Sequence, residues 1–238
     1  MQAGKLILLP NFLGPTTKEQ QFPLFNEEWI KQLKYFFVEN PKPARALIKA
    51  LNPNVNFNEA ELFQFDKHAK DNSGTYREIL TCLKAGNNVG VLSDAGCPGI
   101  ADPGAELISW AHKNNIEVLP LVGPSSILLT LMASGLNGQN FQFIGYLPKE
   151  SKDKINQVKN IANQTKNGSC TVMFIETPYK NEQTFRDLLE NLPGSNRICL
   201  GINLFFQDQK ILTKTVADWK SLPNKPQLKD QQVLFAVG

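Results

Sequence analysis

Short apolar runs recur along this chain with helical patterns between them, and this alternation constrains the fold more than any other feature. "KLILLP" (5–10), "NVGVLSD" (88–94), "IEVLPLV" (116–122), "SCTVMFIE" (169–176), "RICLGINLFF" (197–206) and "QQVLFAVG" (231–238) are rich in Val, Ile and Leu and read as buried strands. "EEWIKQLKYFF" (27–37), "TYREILTCLKAG" (75–86), "PGAELISWAHKNN" (103–115) and "NEQTFRDLLENL" (181–192) space apolar residues three and four apart and predict helices. Asn and Gly follow several of them as stop signals. Strands alternating with helices predict an α/β fold with largely parallel pairing. The 238 residues suffice for one large domain or two small ones, and no internal repeat is evident.

Composition narrows the function classes. Apolar residues make up 42% and charged residues 20%, as in chains that bury a substantial core. A net charge of +3 is too mild to argue for nucleic-acid binding and does not exclude it. Cys82, Cys97, Cys170 and Cys199 are scattered without a CxxC pair, which reads as reduced, intracellular thiols. With His68 and His112 as the only histidines, a zinc site or a Cys-His relay is disfavoured, and no metal is expected. The opening "MQAGKLILLP" is too short in apolar residues for a signal peptide. The uncharged stretch from Val118 to Leu136 is interrupted by Pro120, Gly123, Pro124 and Gly135, so strand, turn and buried helix suit it better than a membrane span. A cytoplasmic protein is expected.

"VLSDAGCPGIADPG" (91–104) follows an apolar run and packs glycines, prolines and aspartates together. In open α/β sheets, ligands bind beyond the carboxyl ends of strands, where this loop falls. Gly96 and Gly99 let a backbone approach a ligand closely, Pro98 and Pro103 fix the loop's path, and Asp102 is placed to cap a helix beginning near Pro103. The stretch is neither GxGxxG nor a P-loop, which argues against a dinucleotide or nucleoside triphosphate. A tight turn without a ligand is the alternative. A second turn, "LVGPSS" (121–126), offers Ser125 and Ser126 at a helix start, either to a carboxylate or ribose or merely as caps. A third, "MFIETPYK" (173–180), ends a strand with Glu176, which accepts from an amine or hydroxyl or caps the following helix. Residues 148–168 are polar and lysine-rich. They read as a solvated surface helix or as a face for RNA phosphates through Lys149, Lys152, Lys154 and Lys159.

Taken in order, "VLSDAGCPGIADPG", "LVGPSSILLTLMASGL", "FQFIGYLPK" and "FIETPYK" resemble the tetrapyrrole methylase family, and within it the branch that 2'-O-methylates a cytidine ribose of small-subunit rRNA. The resemblance covers most of the chain. It implies two α/β domains, 1–120 and 121–238, with mostly parallel or mixed sheets, S-adenosylmethionine held between them, and a homodimer. Matched by motif, the cofactor positions fall on Ser93, Asp94, Ala95, Gly96, Pro98 and Ile100, on Ser125 and Ser126, on Glu176, and on Leu13 and Gly14 in the first loop, "LPNFLGP". A zwitterion bearing an adenine suits backbone N–H groups and a carboxylate better than a phosphate cradle.

The substrate-side motifs depart from that branch. Its PTPIGN becomes "PNFLGP", with Phe12 near the tip, and its EDTRHT becomes "ENPKPA" (39–44), which keeps only Glu39. There Lys42 replaces an arginine and forfeits bidentate phosphate contact. Of its His-Asn-Glu cluster only His68 lines up, in "FDKHAKDN" (65–72), and its Arg-Glu-Leu-Thr-Lys becomes "GINLFF" (201–206). Methyl transfer to a hydroxyl benefits from a general base, and Glu39, Asp66 and His68 are the candidates on or beside substrate-side positions. Three readings stay open: an rRNA methyltransferase, a methyltransferase of a tetrapyrrole or another RNA, and a non-catalytic module that binds S-adenosylmethionine.

Overall fold

The structure is a computed structural model and describes residues 3–64, 73–102 and 104–238. The chain divides into two compact units, Met1–Ser125 and Ser126–Gly238.

The first unit runs β1 (Leu6–Leu9), α1 (Leu24–Gln32), β2 (Tyr35–Val38), α2 (Pro41–Leu51), β3 (Glu61–Gln64), α3 (Ser73–Lys84), β4 (Val89–Leu92), α4 (Gly104–Lys113) and β5 (Val118–Pro120). Its strands lie in the order β3-β2-β4-β1-β5 and every pair is parallel. Alternate residues supply opposite faces, as the period of two requires. Ile7, Leu9, Phe36 and Val38 pack with Ile30, Leu47, Ile48 and Leu51 from α1 and α2. Leu6, Phe37, Val89 and Val91 pack on the other face with Ile79, Leu83, Leu107 and Ala111 from α3 and α4. Because all five strands point the same way, their carboxyl ends deliver "PNFLGP", Glu39, the glycine loop and "LVGPSS" to one edge.

The helix expected over 27–37 is corrected. It ends at Gln32, Leu33 turns extended (φ −86°, ψ 137°), and Tyr35–Val38 forms an interior strand. Apolar residues at helical spacing continue into that strand, so periodicity alone did not mark the break. The run Tyr-Phe-Phe-Val favours a pleated, buried site between β3 and β4.

The second unit runs α5 (Ser126–Ser134), β6 (Phe141–Tyr146), α6 (Ser151–Gln164), β7 (Thr171–Ile175), α7 (Asn181–Asn191), β8 (Arg197–Ile202), β9 (Lys210–Thr215), α8 (Val216–Ser221) and β10 (Val233–Val237). Its sheet, β6-β7-β10-β8-β9, is mixed: β6 and β7 pair in parallel and the other neighbours are antiparallel. Trp219 anchors one face, fully buried, with its indole Nε1 donating to the Ile198 carbonyl at 3.0 Å and its ring edge-on to Phe185. On the other face α5 lies so close to β8 that a Cβ on Gly201 would sit 2.3 Å from Thr130 Oγ1. Among the described residues no helix is long and apolar enough to cross a membrane.

Candidate functional site

The polar site begins with Asn11, a residue that the sequence reading passed over. It follows β1 and is buried. Its N–H donates to the Gly96 carbonyl (2.8 Å) and its carbonyl accepts from the Gly96 N–H (3.1 Å). Its side-chain Nδ2 donates to the carbonyls of Ser93 (2.9 Å) and Asp94 (3.3 Å). One asparagine therefore stitches the loop after β1 to the loop after β4. Ser93 Oγ turns inward as well, toward the carbonyls of Ala95 (3.2 Å) and Gly96 (3.4 Å). Gly96 takes φ +70°, in the left-handed region where only glycine is unstrained, and a Cβ there would touch Leu13. The turn after β5 joins the same cluster. The Cys97 thiol donates to the Pro124 carbonyl at 3.4 Å, and a Cβ on Gly123 would fall 2.2 Å from Pro10.

Two carboxylates hold the loop from beneath. Glu39, one residue beyond β2, accepts the Asp94 N–H on Oε2 at 3.1 Å. It does not cap the helix that follows; Asn40 does, accepting the Lys42 N–H at 3.1 Å. Asp102 Oδ1 accepts from both Gly99 and Gly104 N–H at 2.7 Å, closing the loop and capping α4 as its position in the sequence suggests. Burial pushes the Asp102 carboxyl pKa up. The bonds from Gly104 and Gly99 pull it back, and the Glu39 carboxylate raises it further. The Cys97 thiol is also pushed up, by burial first and by the Asp102 charge second. A small cavity lined by Phe37, Glu39, Ser93 and Asp102 lies behind the loop.

The expected site residues are placed as follows. Ser93, Asp94, Ala95, Gly96, Pro98 and Ile100 share the loop after β4, with Asp94, Ala95 and Ile100 exposed and Ser93, Gly96 and Pro98 buried. Leu13 and Gly14 lie in the loop after β1, half-buried, and the Leu13 N–H donates to Gln21 Oε1 at 3.0 Å. Ser125 closes the first unit and Ser126 opens α5 in the second. Glu176, just past β7, accepts on Oε1 from the N–H (2.8 Å) and hydroxyl (3.2 Å) of Thr177, so its carboxylate steadies its own turn; the position before α7 is Lys180. Asp66 and His68 lie outside the described residues. Lys154 leaves the group of lysines suggested for phosphates: it is buried and pairs with Asp187 at 3.3 Å. "GINLFF" folds as the end of β8 and a tight turn, with Asn203 and Phe205 at positive φ and Leu204 buried. Among the described residues no group of three or more His, Cys, Asp or Glu is arranged to hold a metal.

This edge presents a glycine turn held by hydrogen bonds to Asn11, Glu39 and Asp102. Asp94, Ala95 and Ile100 are exposed on it, and the loop carries no lysine or arginine to bind a phosphate. Residues 27–219 match the family model described as Tetrapyrrole (Corrin/Porphyrin) Methylases. The chain is similar to the "Ribosomal RNA small subunit methyltransferase I" of Halalkalibacterium halodurans, 35% identical over 178 residues that make up 75% of this chain and 59% of that protein. The protein of the same name from Bacillus subtilis is 29% identical over 76% of this chain and 59% of its own length. The match thus spans under two thirds of these two relatives. Among solved structures, the methyltransferase CobJ superposes with a TM-score of 0.63 at 17% identity, over 99% of this chain and 94% of that one. Uroporphyrin-III C-methyltransferase of Thermus thermophilus, complexed with S-adenosyl homocysteine, gives 0.56 at 16% identity, over 99% and 97%. At such identities these structures speak for the fold.

Proposed function

Because the chain belongs to the tetrapyrrole (corrin/porphyrin) methylase family, we propose that it is an S-adenosylmethionine-dependent methyltransferase that acts on a ribose 2'-hydroxyl of small-subunit rRNA. The observation that carries the cofactor half is the Ser93–Gly96 turn, tied by Asn11 and Glu39 and free of phosphate-binding cations. The acceptor half rests on the names of the relatives.

Bound S-adenosylmethionine supplies an electrophilic methyl group on a sulfonium. The turn, with Leu13, Gly14, Asp94, Ala95, Pro98 and Ile100, would position it; Ser125, Ser126 and Glu176 are assigned to the cofactor by their motifs alone. The chain's tasks are to align the acceptor oxygen in line with the departing sulfur, to exclude water, and to take the hydroxyl proton. Glu39, Asp66 and His68 are the proposed bases. Glu39 stands at the strand edge beside the turn, and its bond to the Asp94 amide gives it a positioning role as well.

We further propose a homodimer in the cytoplasm. In the second unit Leu128 and Met132 are exposed on α5, beside a groove of about 350 Å³ lined also by Leu129, Leu204, Phe205 and Ile211. An exposed apolar patch of this kind suits a subunit contact.

The test is transfer of labelled methyl groups from S-adenosylmethionine to small ribosomal subunits prepared from cells lacking this protein. Label confined to one ribose supports the proposal. No label, with cofactor binding confirmed in the same preparation, moves the acceptor elsewhere or selects the non-catalytic module, which the uncharged "GINLFF" turn favours.

A further inference from the structure

The carboxyl end of the parallel pair β6–β7, where Glu176 is proposed for the cofactor, also carries two exposed tyrosines. The register between these strands shifts between Phe143 and Tyr146, where Gly145 takes φ +74°. Irregularities of this kind re-aim the side chain that follows. Tyr146 emerges 58% exposed, although the next residue, Leu147, is buried and fixes the backbone. Its strand partner Ile175 ends β7, and a short turn, Pro178–Lys180, then sets Tyr179 out at 67% exposure. That turn is braced: the Thr177 N–H is held by Glu176, the Lys180 N–H donates to the Thr177 carbonyl (2.8 Å), and the Asp230 N–H donates to the Pro178 carbonyl (3.3 Å). Lys180 Nζ sits 5.6 Å from the centre of the Tyr179 ring. The apolar cores of this unit close without either tyrosine.

Exposed tyrosines on a hydrogen-bonded backbone, with an ammonium beside the Tyr179 ring, are what unpaired bases require: rings to stack on and charge for the flanking phosphates. Lys149, three residues past Tyr146, is exposed, as is Lys152. Glu150 and Asp153 alternate with them, so the local positive charge is small and stacking must carry most of the affinity. We propose that Tyr146 and Tyr179 form a stacking platform for unpaired RNA bases, with Lys149 and Lys180 on the adjoining phosphates. This rests on the RNA reading above and specifies where the substrate's single-stranded part is held.

The test uses the full chain and a fluorescein-labelled single-stranded RNA of mixed sequence, with the same RNA as a duplex for comparison. Tyr146→Ala and Tyr179→Ala should each weaken single-strand binding about tenfold, Tyr→Phe at either position should retain it, and the duplex should bind more weakly. Binding of S-adenosylmethionine should not change in any of these variants. Lys180→Gln should lower the salt dependence of log K by about 0.7, the increment for one single-strand phosphate. RNA affinity indifferent to both alanine variants, in a protein that binds the RNA, overturns the platform alone. A shift in oligomeric state without a loss of RNA affinity also overturns it. A wild-type protein that binds S-adenosylmethionine but no RNA overturns both the platform and the RNA reading on which it rests.

Discussion

At the carboxyl edge of the first sheet the loops are sewn to one another, while at the carboxyl edge of β6–β7 two aromatic rings stand in solvent. In the first unit Asn11 holds the carbonyls of Ser93 and Asp94, Glu39 holds the Asp94 amide, and Asp102 holds Gly99 and Gly104. In the second, bracing stops at the backbone, and Tyr146 and Tyr179 reach outward from it. The difference matches the size of the ligand each edge is proposed to meet. A small zwitterion gives few contacts, so its affinity depends on a loop ordered in advance. A nucleic-acid strand brings many contacts and can adapt, so a fixed platform with mobile side chains suffices.

If ordering in advance is what the first edge supplies, variants that disorder it should lose S-adenosylmethionine affinity in proportion to the strain or bonds removed. The largest effect is expected for Gly96→Val. A β-branched residue at φ +70° is strained and meets Leu13, so binding measured by titration calorimetry should fall by roughly 100-fold. Undiminished affinity would detach the cofactor from this turn.

Asn11→Ala should follow, at about tenfold weaker binding, because two loop carbonyls lose their donor at a cost of about 1–3 kcal/mol, shared between loop order and stability. A fall in melting temperature with no change in affinity would make Asn11 a purely structural clasp.

Glu39 separates positioning from chemistry. Glu39→Ala should weaken binding severalfold, on the order of 1 kcal/mol, whereas Glu39→Gln keeps an oxygen for the Asp94 N–H and should leave binding near wild type. Methyl transfer that collapses in Glu39→Gln while affinity holds would identify the base; transfer that survives would leave Asp66 and His68.

The smallest effect is expected for Asp102→Asn, and it appears in the pH dependence. Burial raises the carboxyl pKa of folded Asp102 above that of the unfolded chain. The folded state therefore keeps this proton to higher pH, and the stability linked to it is present in acid and lost as pH rises through the raised value. An asparagine oxygen can still accept from Gly99 and Gly104. The stability difference, variant minus wild type in urea denaturation, should grow in the variant's favour from below the ordinary aspartate range to neutral pH. A flat difference would mean that Asp102 does not titrate in that window.

The strands missed in the sequence show where its legibility ended. β3, β6 and β9 each lie at a sheet edge, where half-exposed residues such as Glu61, Gln64, Gln142 and Lys214 interrupt the apolar run that betrays an interior strand. The interior strands β1, β4, β7, β8 and β10 were legible because both their faces are buried; β5 was legible from its apolar run as well, although it lies at an edge and is only half-buried rather than buried as expected. β2 is interior too, yet its aromatics continued a helical spacing and were absorbed into the helix before it.

For the site, residue types and local order were enough to single out the glycine loop and the cap at Asp102, since each depends on neighbours within a few positions. The clasp of Asn11 on Ser93 spans 82 positions and that of Glu39 on Asp94 spans 55, and no local pattern encodes either. They exist because parallel strands β1, β2 and β4 bring their carboxyl ends to one edge. The exposure of Tyr146 and the burial of Lys154 were likewise settled by packing, through a register shift in one case and an ion pair with Asp187 in the other. Chain chemistry thus specified the α/β alternation and the turn able to meet a ligand. Tertiary structure decided which distant polar groups hold that turn and which side chains are left to face a partner, because those contacts form only once the sheets have assembled.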